Sequence, residues 1–439
     1  MDKTEIPADR TSWGSFGELR KKTDEDMLTI LDDAIKNKDY KVGSDQEKAV
    51  NFYESIMNTE ARDKQGLEPL KPYLAKIDAI KTKSDVEKYI NEMANNGGGN
   101  EFFGFGVFND MKDSKMNAGY LSAGGLGLSR DYYVDEDKDT KEKRQKYEEF
   151  VATLFKVLGD NEATAKKNAK LVLEFETSLA KPRMTKEESR DARKQYNPMT
   201  LAELQKLVPA INWNEHLKAI GIDKIDKIIV TDPNYFKAMN KIFKSRSVAD
   251  MKTLFRWETI NSSAGLLTTD LEKKNWDFYA KTLQGAKEQR PLNERALATV
   301  NGAIGEALGQ LYVAKKFPPE AKKKAQEMIA NVRLGFKKRI AELTWMSEET
   351  KKKAIEKLNK LMVKIAYPDK WKDYSKLTIK SVKDGGSYFE NSVNIAKWAH
   401  HENIAKLGKP VDRTEWGMSP QTVNAYFNPV NNEIVFPAA

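Results

Sequence analysis

The sequence predicts a mainly α-helical protein, and three observations carry that expectation. Apolar residues recur at helical spacing through most of the 439 residues. Helix-starting residues stand just ahead of those runs. Strand-like runs are confined to "EFFGFGVFND" around Phe102–Phe108 and the closing "VNAYFNPVNNEIVFPAA".

The elements follow in chain order. "TDEDMLTILDDAIKN" predicts a helix opening at Thr23, with acids in the first turn where the helix dipole favours them. Leu28, Leu31 and Ile35 form its apolar face. "SDQEKAVNFYESIMN" carries a capping box, Ser44 with Glu47, ahead of Val50, Tyr53 and Met57. The first strand follows Gly97-Gly98-Gly99, and "GGLGLSRDYY" (Gly124–Tyr133) reads as a turn into a helix start. "NEATAKKNAKLVLEFETSLAK" predicts a long helix from Asn161. "LYVAKKFPPEAKKKAQEMIANVRLGFKKRIAELTW" predicts another, broken at Pro318-Pro319. "SEETKKKAIEKLNKLMVKI" starts at Ser347, a good N-cap, with Ile355, Leu358 and Met362 inward. At Asp384-Gly385-Gly386 the helical body gives way to a short region ending in strands. The expected domains are therefore 1–385 and 386–439.

A chain of this length exceeds one ordinary core. Hydrophobic residues at 40% and charged ones at 32% make it globular rather than disordered. With no cysteine, neither a disulfide framework nor a thiolate metal site is possible. Lys and Arg outnumber Asp and Glu by 74 to 65. The excess is spread through stretches such as "EAKKKAQE", which reads as solvated helix surface. A nucleic-acid binder would gather Arg and aromatics on one stripe, so nucleic acid is not an expected partner. No apolar run approaches the ~20 residues that cross a bilayer. Nor does "DKTEIPADR" after Met1 read as a signal peptide.

"GFGVF" and "GGLGLS" lack the lysine and spacing of phosphate loops, which leaves their glycines to make tight turns. "HENIA" at His401–Ala405 begins like HExxH, the zinc-binding helical phrase, but Ala405 stands where the second histidine is needed. His400 and His401 are neighbours and point apart on a helix. No Ser-His-Asp arrangement has a local signature. No catalytic residue and no bound metal are expected in this chain.

Several phrases together resemble the neprilysin family of zinc metalloendopeptidases. They are "TEIPADRTSWGSFGELR", "GGLGLSRDYY", "VNGAIGEALGQLYV" (Val300–Val313), "LTWMSEETKKKA" (Leu343–Ala354), "IAYPD" (Ile365–Asp369) and "VNAYFNPVNNEIVFPA". They stand in the family's order from about Thr4 to the end. The resemblance implies a large multi-helical substrate-chamber (lid) domain, followed by the truncated start of a thermolysin-like zinc peptidase domain. It implies hydrolysis of peptide bonds in oligopeptides, with zinc in the intact enzyme held by HExxH and a later Glu. Those residues fall C-terminal to the "VFPA" phrase, so the chain reads as the family's N-terminal portion, inactive alone, whose partner is the missing catalytic segment. The resemblance also favours a periplasmic, cell-surface or secreted location.

The residues carried over are few. Asn424 and Ala425 match the family's substrate-gripping pair. An edge strand offers backbone N–H and C=O groups to an extended peptide, and an Asn amide can donate and accept. The alternative is an Asn that merely ends a strand ahead of the Asn428-Pro429 turn. Phe16 matches an aromatic that helps line the pocket for the residue after the cleaved bond; the alternative is a helix-face core position. Arg20 matches an arginine that meets the far end of short peptides, although Ser12 and Gly17 replace an Arg and an Asp found beside it in some relatives. A rival reading from another class is a non-catalytic peptide-binding or scaffold protein built on the same helical domain.

Overall fold

A computed structural model describes residues 5–439 of the chain. Among the described residues there are seventeen α-helices and two small sheets, so the chain is mainly α. Two compact units form, each from separated stretches. One comprises the segment ending at Met57 with Gln289–Gly386 and Asp412–Ala439. The other comprises Asn58–Glu288 and Ser387–Val411.

In the first unit, helix Ser15–Asn37 opens eight residues before the expected Thr23. Thr23 lies inside it, its hydroxyl donating back to the Leu19 carbonyl at 3.0 Å. A mid-helix threonine that bonds to the preceding turn no longer needs to cap. The buried face is Met27, Ile30, Leu31 and Ala34, with Leu28 and Ile35 at its margins. Half of the expected capping box forms at helix Asp45–Met57: Ser44 Oγ accepts from Glu47 N at 3.3 Å, while the Glu47 carboxylate accepts from Gly43 N at 2.6 Å rather than from Ser44 N, which donates to the Lys41 carbonyl. Helix Leu292–Lys316 supplies the other large apolar face, from Ala296 to Tyr312. After Pro318, helices Pro319–Glu342 and Glu348–Asn359 bury no residue fully. Ser347 caps the latter through Thr350 N at 3.2 Å.

The expected continuation of that last helix through Met362 does not form. Met362–Ala366 is a strand, β5, which pairs in parallel with Glu433–Pro437, β7. β7 pairs antiparallel with Tyr426–Asn428, β6, on its other side, giving the order β5-β7-β6. Val363, Ile365 and their neighbours suit a strand once a partner exists, and tertiary pairing overrides the helical spacing of "KLMVKI". Val435 is fully buried at the centre of this sheet.

The second unit holds one large apolar core running from Leu70 to Ile404. Its strands are β1 Phe103–Asn109, β2 Asn117–Ala123, β3 Asn197–Met199 and β4 Ile228–Val230, in the order β1-β2-β4-β3. The β1–β2 hairpin confirms the strand expected around Phe102–Phe108. Helix Glu162–Ala180 starts where Asn161 caps it, through Thr164 N at 2.9 Å. It brings Glu176 into the core, where Gly127 N, Tyr133 Oη, Tyr147 Oη and Trp257 Nε1 donate to its carboxylate at 2.6–3.2 Å. That cradle accounts for "GGLGLSRDYY": a side chain at Gly127 would strike the Tyr147 hydroxyl at 1.8 Å, and Tyr133 is the second donor.

Candidate functional site

The closing hairpin is held from three sides within the first unit. Lys364 of β5 and Glu433 of β7 form a buried ion pair at 2.8 Å, and Lys364 Nζ also donates to the Glu415 carbonyl at 2.6 Å. A buried pair with its spare donor satisfied holds one register, since losing either partner leaves an unpaired buried charge. Tyr426 Oη accepts from Gly417 N at 2.8 Å. Burial pushes the Tyr426 phenol up, so it stays a neutral hydroxyl.

The approach to the hairpin is set by helix Leu292–Lys316. Gln421 Nε2 donates to the Gly305 carbonyl at 2.9 Å and to Asn301 Oδ1 at 2.5 Å. A Cβ at Gly309 would come within 2.8 Å of both Gln421 Oε1 and Pro420 Cδ, so glycine lets the loop lie against the helix. Gly305, whose Cβ would meet Ser419 at 3.0 Å, serves the same approach one turn earlier in "VNGAIGEALGQLYV". The Pro420 carbonyl in turn accepts from Ala438 N and Ala439 N at 2.9 and 3.1 Å. Both ends of the hairpin are thus tied to one loop.

Asn424 and Ala425 leave that loop exposed, immediately before β6. β6 pairs on one side only, with β7, and its other edge is open. Asn424 Oδ1 accepts from Ala425 N at 2.8 Å, while the Asn424 backbone N–H donates to the Thr422 carbonyl at 2.9 Å. The side-chain oxygen therefore serves the local turn, and the amide NH2 remains as a donor at the strand's mouth. β5 makes β7 the central strand, which leaves β6 at an edge of the sheet.

Phe16 and Arg20 lie one turn apart on helix Ser15–Asn37, in the same unit. Phe16 is 69% exposed, which excludes the helix-face core alternative. Arg20 is also exposed, and its charge acts on Asp24 one turn further on. Burial nevertheless pushes the Asp24 carboxyl up, with Arg290 the strongest of the cations opposing it. Among the described residues, no hydrogen bond or ion pair joins Phe16 or Arg20 to Asn424 or Ala425. The structure thus places two exposed pairs in one unit without linking them.

The histidines do not fit zinc. His400 and His401 stand side by side in helix Tyr388–Ile404 with ring centroids 5.6 Å apart. His401 Nε2 lies 3.3 Å from Asn95 Oδ1. Burial, with His401 second, pushes His400 down. Among the described residues no group of three or more His, Cys, Asp or Glu side chains is placed to hold a metal.

Comparison with known proteins decides the lineage. The family profile described as peptidase family M13 matches residues 1–368. The chain belongs to peptidase family M13. This M13 chain is 30% identical to Neprilysin-3 of Drosophila melanogaster, covering 99% of the chain and 58% of the relative. It is 31% identical to an endothelin-converting enzyme homolog of Locusta migratoria, over 99% and 62%. Among solved structures it resembles the inhibitor complex of the zinc metalloprotease Zmp1 of Mycobacterium tuberculosis, with a TM-score of 0.89 and 32% identity, over 99% of this chain and 65% of that one. The M13 chain thus spans less than two thirds of the length of these relatives. Among the described residues no helix is long and apolar enough to cross a membrane.

Proposed function

We propose that this chain is the N-terminal portion of a neprilysin-like zinc metalloendopeptidase and that the open edge of β6 positions its oligopeptide substrate. The observation carrying this is the placement of Asn424: exposed, beside an unpaired strand edge, with its amide NH2 still available. An extended peptide laid along β6 would add a strand to the sheet, and the Asn424 amide would donate to its backbone carbonyl. Phe16 and Arg20 offer an aromatic surface and a cation for side chains or the far end of the peptide. In this reading residues 1–385 are the helical chamber portion and 386–439 the beginning of the catalytic portion, with β5 the element before that boundary on which the closing hairpin is built. Zinc and the groups that hold it belong to the remainder of the polypeptide, so this chain alone hydrolyses nothing. Membership of M13 supports the reading, and with it a location outside the cytoplasm.

The test is Asn424→Ala in the complete polypeptide. A peptide-orienting donor predicts a fall in kcat/KM of roughly 5- to 150-fold, about 1–3 kcal/mol. Stability should change by about 0.5 kcal/mol or less, because the side chain is exposed. Unchanged kinetics with a lowered melting temperature would reduce Asn424 to a turn residue. A peptide-binding scaffold is separated from an enzyme by chelator-sensitive cleavage of a fluorogenic peptide, which only the enzyme shows.

A further inference from the structure

The second unit contains a cavity of about 270 Å³ with no part in the reading above. Aromatic rings Tyr73, Tyr89 and Phe389 wall it, with Met93 and the Gly97–Gly99 loop beside them. Tyr73 and Phe389 meet edge to face at 6.1 Å. The charged group facing this space is the Glu258 carboxylate, carried on helix Val248–Ser263, and no lysine or arginine lines the cavity.

Behind Glu258 stands a second carboxyl, Glu101, which is 3% exposed. No N–H or hydroxyl donates to either Glu101 oxygen, and the side chain it bonds to is the Glu258 carboxyl itself. The contrast with Glu176 in the same core is direct, because that carboxylate receives four donors. Burying two carboxylates side by side costs several kcal/mol, so the pair shares a proton and keeps one negative charge with no lysine or arginine lining the cavity to meet it. Burial raises both carboxyls above the ordinary range, with Glu258 adding to it at Glu101; at Glu258 the hydrogen bond from Glu101 opposes the rise and Glu176 adds to it.

We propose that this cavity is a binding site for a small organic cation, a primary ammonium on an aromatic or alkyl body, whose charge sits against Glu258. The ammonium supplies what the carboxyl pair lacks, three N–H donors and a positive charge. The aromatic walls favour a cation electrostatically and shelter its apolar body. Glu101 acts through Glu258, holding negative potential at the floor of the site.

Benzylamine is the probe and benzyl alcohol its neutral counterpart, with binding to the intact chain followed by ligand-observed NMR and calorimetry. Benzylamine should bind about tenfold to a hundredfold more tightly than the alcohol, and Glu258→Gln should remove that preference. Glu101→Gln should weaken benzylamine several-fold. Both variants relieve a buried charge, so they should fold, and circular dichroism checks that they do. Phenylalaninamide, which presents its ammonium as a peptide N-terminus does, forms the second arm. Tighter binding than benzylamine assigns the site to peptide ends, and weaker binding assigns it to free amines. Equal binding of amine and alcohol, a preference that survives Glu258→Gln, or no saturable binding at millimolar benzylamine would each overturn the proposal.

Discussion

The two compact units solve burial differently. The second closes one continuous core in which Phe102 meets Phe175, Phe243 and Phe255 edge to face, and even a carboxylate is fully bonded. The first builds its core on three helices and a small sheet, then carries Pro319–Glu342 and Glu348–Asn359 with no fully buried residue. Met328, Val332 and Phe336, spaced four apart along one helix, are all exposed, as are Leu334 and Trp345. Stability in the second unit therefore rests on one continuous packed core, and in the first on a smaller helical core to which specific polar ties hold the sheet. Surface of this kind marks a region whose partners are other than its own core.

Perturbing each unit at its own weak point sharpens that comparison. Phe102→Ala should cost the second unit about 3–5 kcal/mol, seen as an earlier urea midpoint for that unit's transition. A loss under about 1 kcal/mol would mean the core is looser than its ring contacts indicate. Glu433→Ala should cost the first unit about 3 kcal/mol by leaving Lys364 buried and unpaired. In calorimetry the two substitutions should shift different transitions. If both move a single common transition, the units do not unfold separately and the comparison fails.

Acid gives a third, smaller effect, confined to the second unit. Burial, helped by the charge of His400, holds His216 at about 4, below its ordinary 6.5. The unfolded chain then binds more protons within that window, so this contribution is complete above the upper value and is lost as pH falls toward the lower one. Between pH 7 and pH 5 the loss should be about 2 kcal/mol. Replacing His216 with Asn should flatten the slope; an unchanged slope would assign it elsewhere. The smallest effect belongs to the exposed stripe. Leu334→Lys with Phe336→Lys should alter stability by about 0.5 kcal/mol or less, while sharply reducing binding of an apolar fluorescent dye. A large loss of stability would show that these side chains already pack.

Much of the helical body could be read from the residues alone, because capping and periodicity are local. Ser44, Asn161 and Ser347 each start helices where their chemistry directs. Thr23 misled because a threonine followed by acids looks the same inside a helix as at its start. "KLMVKI" misled for a different reason: its strand partner lies some seventy residues later, and no local signal announces it. Asn424 was singled out through resemblance alone, and nothing local announced that its Oδ1 would accept from Ala425 N. Glu101, Glu176 and Glu258 were invisible among 65 acidic residues, since only the fold distinguishes a buried carboxylate from a solvated one.

The central place of β7 also bears on the order of assembly during synthesis. Its residues, Glu433–Pro437, are the middle strand of a sheet whose first strand is Met362–Ala366. On the ribosome β5 must wait for some seventy further residues before its neighbour exists, several seconds at ordinary elongation rates of roughly 5–20 residues per second. Throughout that interval "MVKIA" is an unpaired, apolar strand. The first unit is therefore the slow and aggregation-exposed half of the nascent chain, and the stretch on which chaperones would act.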